Sequence, residues 1–123
     1  MARILAIDDD PYFLLSLDNF LTLKQYEVIT VQNPYKAKEV IRKERFDCLL
    51  LDIQMLGVNG FELMEYSREL HPQLPVIFMS GLGASKYEDM LLNIKNTRIV
   101  EKPFDPILLA ETIEELLNDG SSS

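Results

Sequence analysis

Short apolar runs alternate with amphipathic stretches along the whole chain. Arg3–Ile7, Glu27–Val31, Asp47–Leu51, Pro75–Met79 and Arg98–Val100 are brief, apolar and bounded by polar or turn-forming residues, a pattern that predicts strands. Cys48-Leu49-Leu50-Leu51 and Val76-Ile77-Phe78-Met79 show no polar alternation at all. Strands of that kind are covered on both faces, as in parallel sheets flanked by helices.

The intervening stretches carry helix punctuation. Asp10-Pro11, Asn33-Pro34 and Asp105-Pro106 each set a capping side chain before a proline suited to the first helical position. In the first helix Phe13, Leu17, Phe20 and Leu21 share one face; Leu15 points away from it and Leu14 falls at the boundary. A third helix is predicted from Gly60 to about Leu70, stopped by His71-Pro72. A fourth lies within Ser85–Lys95, and the last over Pro106–Asn118 turns Leu109, Ile113 and Leu116 inward. The fold class is therefore α/β: five βα units forming a doubly wound, parallel five-stranded sheet with helices on both faces. Residues 1–118 make one domain on this reading. Residues 119–123, with Gly120-Ser121-Ser122-Ser123, are expected to be a flexible C-terminal tail or a truncated linker.

A length of 123 residues agrees with one domain. Twelve Lys and Arg against twenty Asp and Glu leave a net charge of −8, which argues against a grip on nucleic acid. No run approaches the ~18–20 apolar residues of a membrane span, and Met1-Ala2-Arg3-Ile4 lacks the layout of a signal peptide. Cys48 is the single cysteine, so an intrachain disulfide and a cysteine zinc cage are excluded. A cytoplasmic home is expected.

In such sheets ligands collect beyond the carboxyl ends of the strands. After the first apolar run come Asp8, Asp9 and Asp10; the third ends in Asp52, the fourth in Ser80, and Lys102-Pro103 follows the fifth. Three carboxylates brought together repel one another unless a cation lies among them. Oxygen-only ligands suit a hard ion, and an incomplete protein shell suits Mg²⁺. A carboxylate can also attack phosphorus to give an acyl phosphate, with Lys102 and the Ser80 hydroxyl on the remaining oxygens.

Ile4-Leu5-Ala6-Ile7-Asp8-Asp9-Asp10, Leu49-Leu50-Leu51-Asp52-Ile53-Gln54-Met55, Val76-Ile77-Phe78-Met79-Ser80-Gly81 and Glu101-Lys102-Pro103-Phe104 together resemble the receiver domain of two-component response regulators. The resemblance covers essentially the whole chain and implies a flavodoxin-like, CheY-like fold. It further implies that Asp52 takes a phosphoryl group from a histidine kinase or phosphotransfer domain. Asp8, Asp9, Asp52 and the backbone carbonyl of Gln54 would hold Mg²⁺, and Ser80 and Lys102 would contact the phosphoryl oxygens. A cis Lys102-Pro103 bond is implied as well. Partners dock beside the first helix in this family, which points to Leu14 and Leu15; an output domain or downstream protein and a homodimer are further expectations. Gln54 and Leu82 lie where the lifetime of the phosphoryl group is often tuned.

Three positions depart from the family pattern. Leu56 stands where proline is usual, Ile99 where an aromatic ring commonly swings inward, and Ser80 where threonine is frequent. Asp10 reads as a helix cap, Gly81-Leu82-Gly83 as a flexible loop that moves with Ser80, His71 as a helix-end residue and Cys48 as inert core. Tyr12, Tyr35, Tyr66 and Tyr87 show no stacking pattern. The leading function is a phosphoacceptor, not a conventional enzyme, limited to Mg²⁺-dependent self-phosphorylation and autodephosphorylation at Asp52. A hydrolase with Asp52 as nucleophile is disfavoured because Gln54 cannot serve as its general acid. A receiver-like interaction module that is never phosphorylated is the alternative.

Overall fold

The computed structural model describes residues 1–55, 58–81, 85–91 and 93–122. In chain order the main elements are β1 (Arg3–Ile7), α1 (Pro11–Leu23), β2 (Glu27–Val31), α2 (Pro34–Lys43), β3 (Cys48–Asp52), α3 (Gly60–Leu70), β4 (Val76–Ser80), α4 (Ser85–Leu91), β5 (Thr97–Glu101) and α5 (Pro106–Ser122). The five strands pair in parallel in the order β2-β1-β3-β4-β5, which is the doubly wound flavodoxin-like arrangement. A two-residue antiparallel ladder, Gln54–Met55 with Val58–Asn59, lies between β3 and α3 and had no apolar run to announce it.

Parallel pairing needs crossovers, and the helices supply the cover for both faces. Ile4, Ala6, Cys48, Leu50, Ile77 and Met79 pack with Leu14, Leu17 and Leu21 of α1 and Leu109, Ile113 and Leu116 of α5. The alternate strand residues, Leu5, Ile7, Leu49, Leu51, Val76 and Phe78, pack with Ala37 and Ile41 of α2, Leu63 and Met64 of α3 and Leu91 of α4. Successive residues of β1, β3 and β4 thus belong to opposite layers, which is why those runs are apolar throughout. Edge strands β2 and β5 keep polar residues such as Glu27, Thr30, Arg98 and Glu101 exposed.

The capping expectations hold. Asp10 accepts from the amides of Tyr12 and Phe13, Asn33 from Tyr35 and Asp105 from Ile107, each ahead of a proline. Asn59 likewise caps α3 at the Phe61 amide, 2.7 Å away.

Several boundaries differ from the expected ones. The third and fourth strands run Cys48–Asp52 and Val76–Ser80, one residue later than the apolar runs, because hydrogen-bonded register continues through Asp52↔Met79 and Ser80↔Glu101. The fifth gains Thr97 and Glu101, since pairing does not require apolar side chains. α5 continues past Asn118 to Ser122, where no proline removes a helical N–H. Leu14 is buried at 5% exposure rather than at a boundary.

Gly60 is where α3 meets the sheet. Its amide donates to the Ile53 carbonyl at 3.0 Å, and a β-carbon there would lie 2.6 Å from the Asp52 carbonyl oxygen and 3.0 Å from Ile53 Cα. Replacing Gly60 with Ala therefore pushes α3 against the peptide that carries Asp52. Urea denaturation is expected to show a loss of about 1–3 kcal/mol, with shifted Asp52 and Gln54 amide resonances. Unchanged stability and spectra would mean that the helix start has room to spare.

Candidate functional site

The site is built at the rim where β1, β3, β4 and β5 end. Ile7 pairs with Leu51, so the next residues, Asp8 just past β1 and Asp52 at the last position of β3, stand side by side. Asp8 and Asp52 are buried and Asp9 is exposed. Each of the three offers a carboxylate oxygen, and these oxygens lie within 4.8 Å of one another.

Lys102 answers that charge. Its backbone amide donates to the Ser80 carbonyl at 2.6 Å, which carries the pairing of β4 and β5 one residue further. Its Nζ donates to Asp8 Oδ2 at 2.5 Å and stands 3.8 Å from Asp52 Oδ2. The ammonium also lies over the Phe13 ring, 4.2 Å from its centroid, and Phe13 meets Phe104 edge-on at 5.9 Å. The Lys102-Pro103 bond is cis, as expected.

Amides orient the acids. Asp10 donates its N–H to Asp8 Oδ1 at 3.0 Å, and Gln54 donates its N–H to Asp52 Oδ1 at 3.2 Å. Burial, and next the neighbouring Asp8 charge, push the Asp52 carboxyl up to about 6, against the pull of Lys102 and the Gln54 amide. A carboxylate raised in this way is poorly neutralised by the protein alone. A second cation placed among the three acids would stabilise it.

The structure thus brings Asp8, Asp9, Asp52, Gln54, Ser80 and Lys102 to one end of the sheet. Ser80 is buried at the last position of β4, and Gln54 is exposed, its carboxamide donating to the Tyr87 hydroxyl at 3.5 Å. Expectations about Leu56 and about Leu82-Gly83 fall outside the described residues; Gly81 is exposed. Ile99 is partly buried in the layer of α2, α3 and α4, paired in register with Phe78. Cys48 is fully buried, its thiol pushed up to about 12 by desolvation, and His71 closes α3 through its amide to Ser67 O at 2.8 Å. Asp10 caps α1, as its place before Pro11 predicts.

One reading needs correction. Leu14 belongs to the core and offers nothing to a partner, whereas Leu15 is 59% exposed and Tyr12 81%. Tyr87 meets Phe61 in a tilted contact at 5.6 Å and 49°, and Phe61 meets Phe78 likewise at 4.8 Å and 46°, so these rings touch without stacking. Sequence reasoning passed over Phe13 as a site residue because its spacing already explained it as core. The pattern marks Gly60 only as a helix start, and the Asn59-Gly60 pair is the signal of its closeness to the sheet.

The same arrangement of elements recurs in known proteins. The sequence model of the response regulator receiver domain matches residues 4–114. The two-component response regulator ARR12 of Arabidopsis thaliana is 39% identical over 87 residues, covering 69% of this chain and 14% of its own length. The autoinducer 1 sensor kinase/phosphatase LuxN of Vibrio campbellii is 28% identical over 98% of this chain and 14% of its own. This chain therefore spans only a small part of these curated relatives. Among solved structures, a CheY-like response regulator receiver domain protein from Methanospirillum hungatei superposes with a TM-score of 0.90 at 30% identity, covering 99% of this chain and 98% of that one.

The crowding of acids has a measurable consequence. With its folded value above the unfolded one, ionised Asp52 opposes folding fully above about pH 6, and the opposition fades as pH falls toward the ordinary carboxylate range. In a chelating buffer at neutral pH, Asp52→Asn is expected to raise the melting temperature, by roughly 3–6 °C for each kcal/mol of repulsion relieved. Millimolar Mg²⁺ is expected to raise the parent more than the variant. An Asn variant that melts below the parent in chelator would count against the crowding.

Proposed function

This chain belongs to the response regulator receiver domain family, and on that footing we propose that it is a phosphoacceptor whose Asp52 receives a phosphoryl group in a Mg²⁺-dependent reaction. The observation that carries the reading is the convergence of Asp8, Asp9 and Asp52 within 4.8 Å, with the Lys102 ammonium among them.

The donor set suits the ion. Asp8, Asp9 and Asp52 present oxygen alone, the chemistry a hard divalent cation selects, and the Gln54 carbonyl beside them would complete the protein's share. When bound, Mg²⁺ offsets negative charge on the transferring group. The chain's own residues do the rest. The Gln54 amide holds one Asp52 oxygen and leaves the other on the side of Lys102. That carboxylate attacks phosphorus: an O–P bond forms as the P–N bond of a phosphohistidine breaks, and the departing imidazole takes its proton from solvent. Lys102 transfers its attraction from Asp8 and Asp52 to the phosphoryl oxygens, and Ser80 donates its hydroxyl to another. Attack of water on phosphorus later breaks the O–P bond and returns the carboxylate with inorganic phosphate. Such turnover is self-limited chemistry, not the action of a conventional enzyme on an external substrate.

The phosphodonor is a histidine kinase or histidine phosphotransfer domain, and Leu15 with Tyr12 forms an exposed apolar strip on α1 beside the site where it docks. An output segment or a downstream protein reads the phosphorylated state. Ile99 favours one alternative, a module that engages partners without phosphorylation, because it offers no ring to follow Ser80.

Incubation with Mg²⁺ and acetyl phosphate is expected to add one phosphoryl group by intact mass, and none to Asp52→Asn. No gain in the parent, with Mg²⁺ bound, would establish the silent module instead. Leu15→Asp is expected to leave folding and the acetyl phosphate rate unchanged while slowing transfer from a cognate phosphohistidine protein about tenfold or more, the scale of a buried interface anchor. An unchanged transfer rate would remove α1 from the docking surface.

A further inference from the structure

We propose that Phe13 is a positioning residue for Lys102, its ring face holding the ammonium in the phosphoryl site. The inference rests on the phosphoacceptor reading and adds a residue that carries no charge and no hydrogen-bonding group.

The ammonium has three donors. One is taken by Asp8 at 2.5 Å, and Asp52 lies 3.8 Å away. The Phe13 centroid is 4.2 Å from Nζ, well inside the range at which a cation is attracted to a ring face. The Lys102 side chain is 23% exposed. Phe13 is in turn held edge-on by Phe104, two residues beyond Lys102, at an interplanar angle of 84°. α1 and the segment after β5 therefore meet around the Lys102 ammonium.

A ring does something here that another carboxylate cannot. When Asp52 becomes phosphorylated, the ammonium must give up part of its bond to Asp8 and turn to a phosphoryl oxygen. A third acid would compete for it at that moment. The aromatic face attracts the charge without accepting a directed hydrogen bond, so it restrains the flexible stem while leaving the donors free to turn. By keeping water off the ammonium it also strengthens the field that Lys102 exerts on the transferring group.

Leucine has a similar apolar bulk and no ring, which separates the two roles of Phe13. Phe13→Leu is expected to slow phosphorylation by acetyl phosphate about three- to tenfold, with melting temperature and Mg²⁺ affinity close to those of the parent. Phe13→Tyr and Phe13→Trp keep the π face and are expected to keep the rate. In a Lys102→Ala background, Phe13→Leu is expected to have no further effect, since the group it positions is gone. Independently of activity, the Lys102 ε-methylene protons of the metal-free protein are expected to be shifted upfield by the ring and to return to ordinary values in Phe13→Leu. A phosphorylated parent with an equally fast Phe13→Leu, or an equal loss in the Lys102→Ala background, overturns the role of the ring. A parent that gains no phosphoryl group overturns the phosphoacceptor reading itself, and with it any purpose for Phe13 in that reaction.

Discussion

The ladder between β1 and β3 puts Ile7 beside Leu51, and because the strands run the same way, Asp8 and Asp52 must arrive side by side at the sheet's carboxyl rim. An apolar interior does not compensate two buried carboxylates with a third nearby. Among the described residues the compensation comes from the Lys102 ammonium and the backbone amides of Asp10 and Gln54. That partial compensation leaves Asp52 raised to about 6. The crowding at this rim is of the kind that a bound cation would relieve.

Holding such a rim requires a stiff frame, and both layers take part. Lys102 is restrained from the layer of α1 and α5, through Phe13 and Phe104. Asp52 is restrained from the opposite layer, where α3 begins against its own peptide at Gly60. The acid and the cation are thus positioned from different sides of the sheet. The sheet between them is buried along β1, β3 and β4, so a shift in one layer is not absorbed by loose packing.

Much of this was legible in the order of residues because the signals were redundant. Asp8, Asp52, Ser80 and Lys102 each follow an apolar run, and a parallel sheet turns that one-dimensional regularity into proximity. The caps at Asp10, Asn33 and Asp105 were legible for the same reason, since each is a local bond fixed by adjacent residues. Features that depend on packing across the chain were not. Leu14 and Leu15 are neighbours with the same side chain, and only the angle at which α1 meets the sheet buries one and exposes the other. Phe13 over Lys102 joins residues that no periodicity links, and Gly60 against Asp52 O is a backbone contact with no side-chain signature.

The isoleucine at position 99 raises a mechanical question that the contacts of α4 answer in part. Ile99 packs opposite Phe78 and has no ring to swing, yet an aromatic series already occupies that layer: Phe78, Phe61 and Tyr87 in sequence, at 4.8 and 5.6 Å. Its far end bears the Tyr87 hydroxyl, which accepts from the Gln54 carboxamide at 3.5 Å, while the Gln54 backbone amide donates to Asp52. Gln54 therefore touches the acid with its main chain and α4 with its side chain. A change at Asp52 biases α4 through this link only to the extent that the link differs in strength between two states. A hydrogen bond of 3.5 Å sits at the long limit, where a small approach gains more than a further separation loses. Gln54 thus ties the peptide that orients Asp52 to the far end of the aromatic series, on α4, a physical connection between the acid and that layer that uses no ring at position 99.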